Sequence, residues 1–132
     1  LTGGQQVRTE TGGYYIEPTI FEVPSQEVRI IREEIFGPVL AVTVFDTEEE
    51  VLHMANDHEF GLGAGLWTSN ISRAHRMGRE LEAGLVWVNC YFNGNIAMPF
   101  GGVKQSGFGR DKSIHAIDKY TSLKSTWIDL TV

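Results

Sequence analysis

The 132-residue sequence is short of several things, and each shortage excludes something. It has one cysteine, Cys90, so no internal disulfide can form and a reducing compartment, the cytoplasm, is expected. It has no basic excess: 11 Lys and Arg stand against 17 Asp and Glu, a net charge of −6. Nucleic-acid and anionic-membrane surfaces need clustered cations, so neither partner is expected. No apolar run approaches the length of a membrane span, and no signal peptide is visible. The four histidines, His53, His58, His75 and His115, have no metal-ligand spacing with one another or with Cys90, so no metal is expected. The first residue is Leu rather than Met, and LTGG reads as a strand end running into a turn, which suggests a piece of something longer.

What is present is globular composition, 42% apolar and 21% charged, enough for one ordinary domain with a core. Residues 1–18 are Gly-rich and read as two turns with an extended link. PTIFEV (18–23) has strand composition, and 24–37 reads as irregular or a single helical turn. PVLAVTVF (38–45) is a continuous apolar, β-branched run, suited to a strand buried on both faces. Thr47 and Glu50 form a capping box before a helix over 47–57 that turns Val51, Met54 and Ala55 inward. AGLWT (64–68) is a second strand. Asn70 caps a second helix with an apolar stripe of Ile71, Ala74, Met77 and Leu81, and Gly84 fits the position just past its end. LVWVN (85–89) is a third strand. The expected class is α/β, a parallel βαβαβ unit, with ligands beyond the carboxyl ends of the strands near 68–70 and 89–92.

The loop over 90–109 holds Tyr91, Phe92 and Phe100 among five glycines, a length that usually serves function. A short helix over 110–120 is expected to bury Ile114 and Ile117. SLKSTWIDL (122–130) alternates apolar and polar residues, as a strand that pairs with another sheet or another subunit would. The Gly clusters GLGAGL (61–66) and GFGRDK (107–112) miss the dinucleotide fingerprint, and turn glycines explain them better. Cys90 has no base or cation beside it in sequence, so a packed thiol is favoured over a nucleophile. Lys104, Arg110 and Asp111 are read as structural. EEIFGP (33–38) is either a turn with two solvated acids and a core Phe, or a clamp. In a clamp, a carboxylate accepts hydrogen bonds from ribose hydroxyls and a ring two residues on packs against a flat heterocycle. Physical chemistry permits the clamp without selecting it.

Four motifs occur in order: REEIFGPV (32–39), NDHEFGLGAGLWT (56–68), AGLVWVNCY (83–91) and PFGGVKQSGFGRD (99–111). Together they resemble the C-terminal portion of the NAD(P)-dependent aldehyde dehydrogenases, over nearly the whole chain. The stretch from Asn89 to Lys124 is most similar to members acting on aminoaldehydes, the γ-glutamyl-γ-aminobutyraldehyde and betaine-aldehyde types. The resemblance implies that Glu34 binds the ribose on the nicotinamide side of NAD or NADP and that Phe36 packs by the nicotinamide. It also implies that Phe100 lines the aldehyde pocket and that residues 91–95, including Phe92, form its mouth. Asp111 stands where the family usually has Glu. Residues 1–120 would be catalytic domain, and 121–132 the strand through which such enzymes form homo-oligomers.

The family's reaction is covalent: a Cys thiolate attacks the aldehyde, hydride leaves to NAD(P)+, and a Glu-activated water hydrolyses the thioester. The motifs carrying that Cys and Glu are not in this sequence, and Cys90 matches another position, so no catalytic residue is assigned. The chain alone is expected to be inactive. Two other readings stand beside this one: a free-standing α/β binding module, and a subunit-assembly piece.

Overall fold

The structure, a computed structural model, describes residues 2–131. The fold is α/β and divides into two compact units, Leu1–His58 and Glu59–Val132.

In the first unit, β1 (Gln6–Val7) and β2 (Tyr15–Ile16) form a small antiparallel hairpin across a 3₁₀ turn. The Gly-rich start is therefore a hairpin rather than two independent turns. The strands β3 (Thr19–Glu22) and β4 (Val39–Val42) run parallel, with Thr19 opposite Val39 and Glu22 opposite Val42. Between them lies α1 (Arg29–Arg32), a single helical turn, one of the two forms read for that stretch. Thr19 begins the pair and is buried. Its hydroxyl donates to the Glu17 carbonyl at 2.7 Å and accepts from the Gly4 N–H at 2.8 Å, so burial leaves no polar group unsatisfied.

The helix α2 (Glu48–Asn56) starts as its sequence dictates, because the Thr47 hydroxyl accepts from the Glu50 N–H at 3.1 Å. Glu50 reaches back one residue further than a standard capping box, to the Asp46 N–H at 2.7 Å. Val51 and Met54 face inward, but Ala55 is exposed.

In the second unit, β6 (Gly63–Leu66) and β7 (Leu85–Val88) are parallel and joined by α3 (Ile71–Glu80). The short strands β5 (Phe60–Gly61) and β8 (Val103–Lys104) pair antiparallel, so part of the long loop is sheet. Asn70 caps α3 by accepting from the Arg73 N–H at 3.0 Å. Met77, Leu85 and Trp87 are the buried core of this unit. The parallel partner of β4 is β3, and that of β6 is β7. A strand's composition reveals that it is a strand and leaves its neighbour open.

Several expected burials do not occur. Ile71, the first residue of α3, is exposed, and the stripe begins at Ala74. Leu40 and Val42 lie on an uncovered face of β4. Ile114 and Ile117 sit on a 3₁₀ helix (Ile114–Lys119), whose three-residue turn stacks both on one face that nothing covers. Residues 121–131 form no strand; Leu123 and Trp127 are fully exposed, since no strand of the unit pairs there. Gly84 lies beyond the cap at Leu81, and its role is packing: a Cβ there would stand 1.7 Å from the Gly101 carbonyl oxygen.

Candidate functional site

The corner over 33–38 follows α1 directly. Glu33, its C-cap, receives Arg29 in a two-pronged pair: Nε to Oε1 at 2.8 Å and the second guanidinium nitrogen to Oε2 at 2.9 Å. This hydrogen-bonded Arg29 guanidinium holds the Glu33 carboxyl below its ordinary value. Glu34, one residue on, makes no hydrogen bond or ion pair among the described residues. The two acids therefore part ways, one neutralised and one left open. Phe36 is 97% exposed, so nothing among the described residues covers it.

The corner's shape comes from its own backbone. Gly37 N–H donates to the Ile35 carbonyl at 2.9 Å, and Val39 N–H to the Gly37 carbonyl at 2.8 Å, two successive three-residue turns around Gly37 and Pro38. Its far side is pinned where Thr19 N–H donates to the Pro38 carbonyl at 2.8 Å. Its near side is pinned through Arg32. That guanidinium bonds the Asp57 backbone carbonyl, the Asp57 carboxylate at 2.7 Å and the Glu27 carboxylate at 2.7 Å. The hydrogen bonds it donates to Asp57, then to Glu27, raise the Arg32 pKa further above its already high value. His58 Nε2 adds a 2.8 Å contact with the Ile31 carbonyl. The first two sequence motifs thus meet end to end, which their spacing did not reveal.

In the second unit, Asn89 leaves β7 in the left-handed region (φ 58°). Its side chain clasps Thr68, accepting from the Thr68 N–H at 2.8 Å and donating to the Thr68 carbonyl at 2.9 Å. The two strand ends singled out in the sequence are therefore joined. Beyond Asn89 the loop folds over Trp87. Its indole N–H donates to the Asn93 carbonyl at 2.7 Å, and Phe92 stacks on the indole at 5.7 Å between ring centroids.

Phe92 and Phe100 line one small cavity of about 60 Å³, with Asn93, Asn95, Met98 and Lys112. Phe100 is fixed by exchanging backbone hydrogen bonds with Asp111, at 2.8 and 2.6 Å. Lys104 pairs with Glu82 at 2.6 Å, Arg110 donates to the carbonyls of Gly102 and Gly109, and Asp111 pairs with Lys119. All three have the structural roles read for them. Sequence reasoning missed Arg32, Asp57 and Lys112; the charge of Arg32 beside two acids was the available signal for the first.

The chain matches the Aldehyde dehydrogenase family over residues 1–126. It is 57% identical over 115 residues to the NADP/NAD-dependent aldehyde dehydrogenase PuuC of Escherichia coli K12, covering 87% of this chain and 23% of PuuC. Among solved structures it is 59% identical to an indole-3-acetaldehyde dehydrogenase complexed with NAD+, with a TM-score of 0.90 over 98% of this chain and 26% of that one. It is 60% identical to a γ-glutamyl-γ-aminobutyraldehyde dehydrogenase from Burkholderia cenocepacia, with a TM-score of 0.89 over 96% of this chain and 26% of that one. This chain belongs to the aldehyde dehydrogenase family. It spans about a quarter of the length of the relatives it matches.

Proposed function

We propose that this chain works as one portion of an NAD(P)-dependent aldehyde dehydrogenase that oxidises an aldehyde, of the aminoaldehyde type, to a carboxylic acid. Within it, Glu34 and Phe36 hold the nicotinamide riboside, and Phe92 and Phe100 line the aldehyde pocket. The observation that carries this reading is the contrast between the adjacent acids: Glu33 is consumed by Arg29, while Glu34 stands unpaired beside a bare ring on a stiff corner. A free carboxylate is an acceptor-only group and suits the two hydroxyls of a ribose. A flat exposed ring suits the edge or face of a pyridine. The nicotinamide cofactor supplies the hydride acceptor. This chain's part is to fix where that ring sits, and position of that kind governs rate more than affinity.

The uncovered apolar side chains Leu40, Val42 and Val44 support a larger assembly around β4. The lone thiol of Cys90 suits a reducing cytoplasm. In the full-length enzyme, Glu34→Gln should slow single-turnover hydride transfer about 10-fold or more, the worth of one charge-assisted hydrogen bond, with a smaller change in dinucleotide affinity. An unchanged transfer rate contradicts the clamp. This chain by itself, lacking the nucleophilic Cys motif, should produce no NADH from aldehyde.

A second reading is assembly through residues 121–132, a homo-oligomerisation strand following a catalytic portion over 1–120. It is favoured by the exposed row of Leu123, Trp127 and Leu130. Ser125→Pro should break self-association there, because proline removes a ladder donor. A variant that stays equally oligomeric counts against it.

A further inference from the structure

We infer that Lys112 selects aldehydes whose far end carries a carboxylate or another strong acceptor, an inference that rests on the reading of the Phe92–Phe100 cavity as part of the aldehyde pocket. Lys112 Nζ lies 5.4 Å from the centre of the Phe100 ring and lines that cavity. It makes no ion pair among the described residues. Asp111, its neighbour, is occupied by Lys119. Lys112 is exposed, so its ammonium is accessible to a ligand.

The backbone aims it. Lys112 and Ser113 both have positive φ, at 56° and 54°. Non-glycine residues take positive φ at a cost, so two in succession form a kink held by its surroundings. The Ser113 N–H donating to the Ile96 carbonyl at 2.7 Å provides such a hold.

The rest of the polar lining agrees in sign. Asn93 Oδ1 accepts from the Gly94 N–H at 2.8 Å, and Asn95 Oδ1 accepts from the Ala97 N–H at 2.9 Å. A backbone donor fixes which end of each amide it meets. Both Asn side chains are therefore left with their NH2 groups, which are donors only. Lysine is also a donor only. The side-chain groups of the lining not already engaged, the two NH2 groups and the ammonium, are therefore donors. Its volume of about 60 Å³ is that of two water molecules, which suits a carboxylate-sized terminus.

The aromatic walls alone would argue the other way, because rings attract a quaternary ammonium. Here the Phe100 face already carries the protein's own cation. A trimethylammonium substrate would meet a filled face and a like charge, so among aminoaldehydes one whose amine is acylated and whose far end is a carboxylate is favoured over a quaternary one.

The test compares three aldehydes of matched length in the full-length enzyme: one ending in a carboxylate, one in a methyl group and one in trimethylammonium. In the unaltered enzyme, kcat/KM should be highest for the carboxylate. Lys112→Met should lower that value about 10-fold or more, chiefly through KM. It should leave the methyl-ended aldehyde within about 3-fold and raise kcat/KM for the trimethylammonium compound, while Lys112→Arg keeps the order. An equal fall for all three substrates would mean a structural lysine and overturn the inference, as would no preference in the unaltered enzyme. Phe100→Ala separates this from the pocket reading. If Phe100→Ala impairs all three aldehydes while Lys112→Met changes none, only the selectivity of Lys112 fails. If Phe100→Ala changes none, the pocket reading itself fails.

Discussion

Arg32 and Asp57 lie 25 positions apart and meet through a guanidinium that bonds both the backbone carbonyl and the carboxylate of the aspartate. The contact ties the end of α1 to the residue that caps α2. It also fixes the near side of the corner that bears Glu34 and Phe36. The side chains of residues 33–38 are otherwise exposed. The direction in which Glu34 points is thus set by a strap two residues before it and by sheet pairing four residues after it.

Arg32→Met should therefore act on chemistry more than on folding. The Arg32 ion pairs lie at the surface, where solvent screens them, so the stability cost should be modest. In the full-length enzyme hydride transfer should slow several-fold, with a larger isotope effect and little change in dinucleotide affinity. Asp57→Asn should do the same, and the double variant should be no worse than either single one, as expected for partners in one contact. Additive losses with an unchanged isotope effect would assign the pair to stability alone.

Gly84→Ala should be severely destabilising. Its Cβ would fall 1.7 Å from the Gly101 carbonyl oxygen and 3.0 Å from the Gly102 Cα, both backbone atoms that a rotamer change cannot move. Overpacking of this kind costs about 3 kcal/mol, enough to be seen as a clear fall in the urea midpoint. Gly78→Ala, in α3 with nothing within 4 Å, is the control and should stabilise by up to about 1 kcal/mol.

The pair of Arg29 and Glu33 makes a pH prediction. Folding lowers the Glu33 pKa, chiefly through the Arg29 hydrogen bond, so it favours the ionised form. Its contribution is complete above the ordinary value of 4.5 and disappears as pH falls through the lowered value. Carboxyl carbon shifts should report Glu33 titrating below its ordinary value, and Arg29→Met should return it upward. Titration unmoved by Arg29→Met would remove the pair as the cause.

Much of this was legible in the sequence because the signals were local. Thr47 and Asn70 announced their helices, since a cap acts within three residues. The apolar run at 38–45 announced β4, though not its parallel partner β3 twenty residues earlier, because composition carries no register. Gly84 was read as a helix terminator and proved to be a contact point for Gly101, a residue far along the chain. Arg32 and Asp57 escaped for the same reason. Periodicity gives Ile114 and Ile117 a covered face, because it finds an apolar side and cannot supply what packs against it. The clamp in EEIFGP was suggested by residue type. The asymmetry between Glu33 and Glu34 needed the helical turn that puts Arg29 four residues before the first acid and leaves none for the second.

The most direct test is a crystal structure of the full-length enzyme with its nicotinamide dinucleotide bound. The Glu34 carboxylate should accept from a ribose hydroxyl of the nicotinamide half at about 2.5–3.0 Å, with the Phe36 ring in van der Waals contact with the riboside. A nucleotide bound in full, with Glu34 and Phe36 both beyond reach of that sugar and ring, would contradict the account.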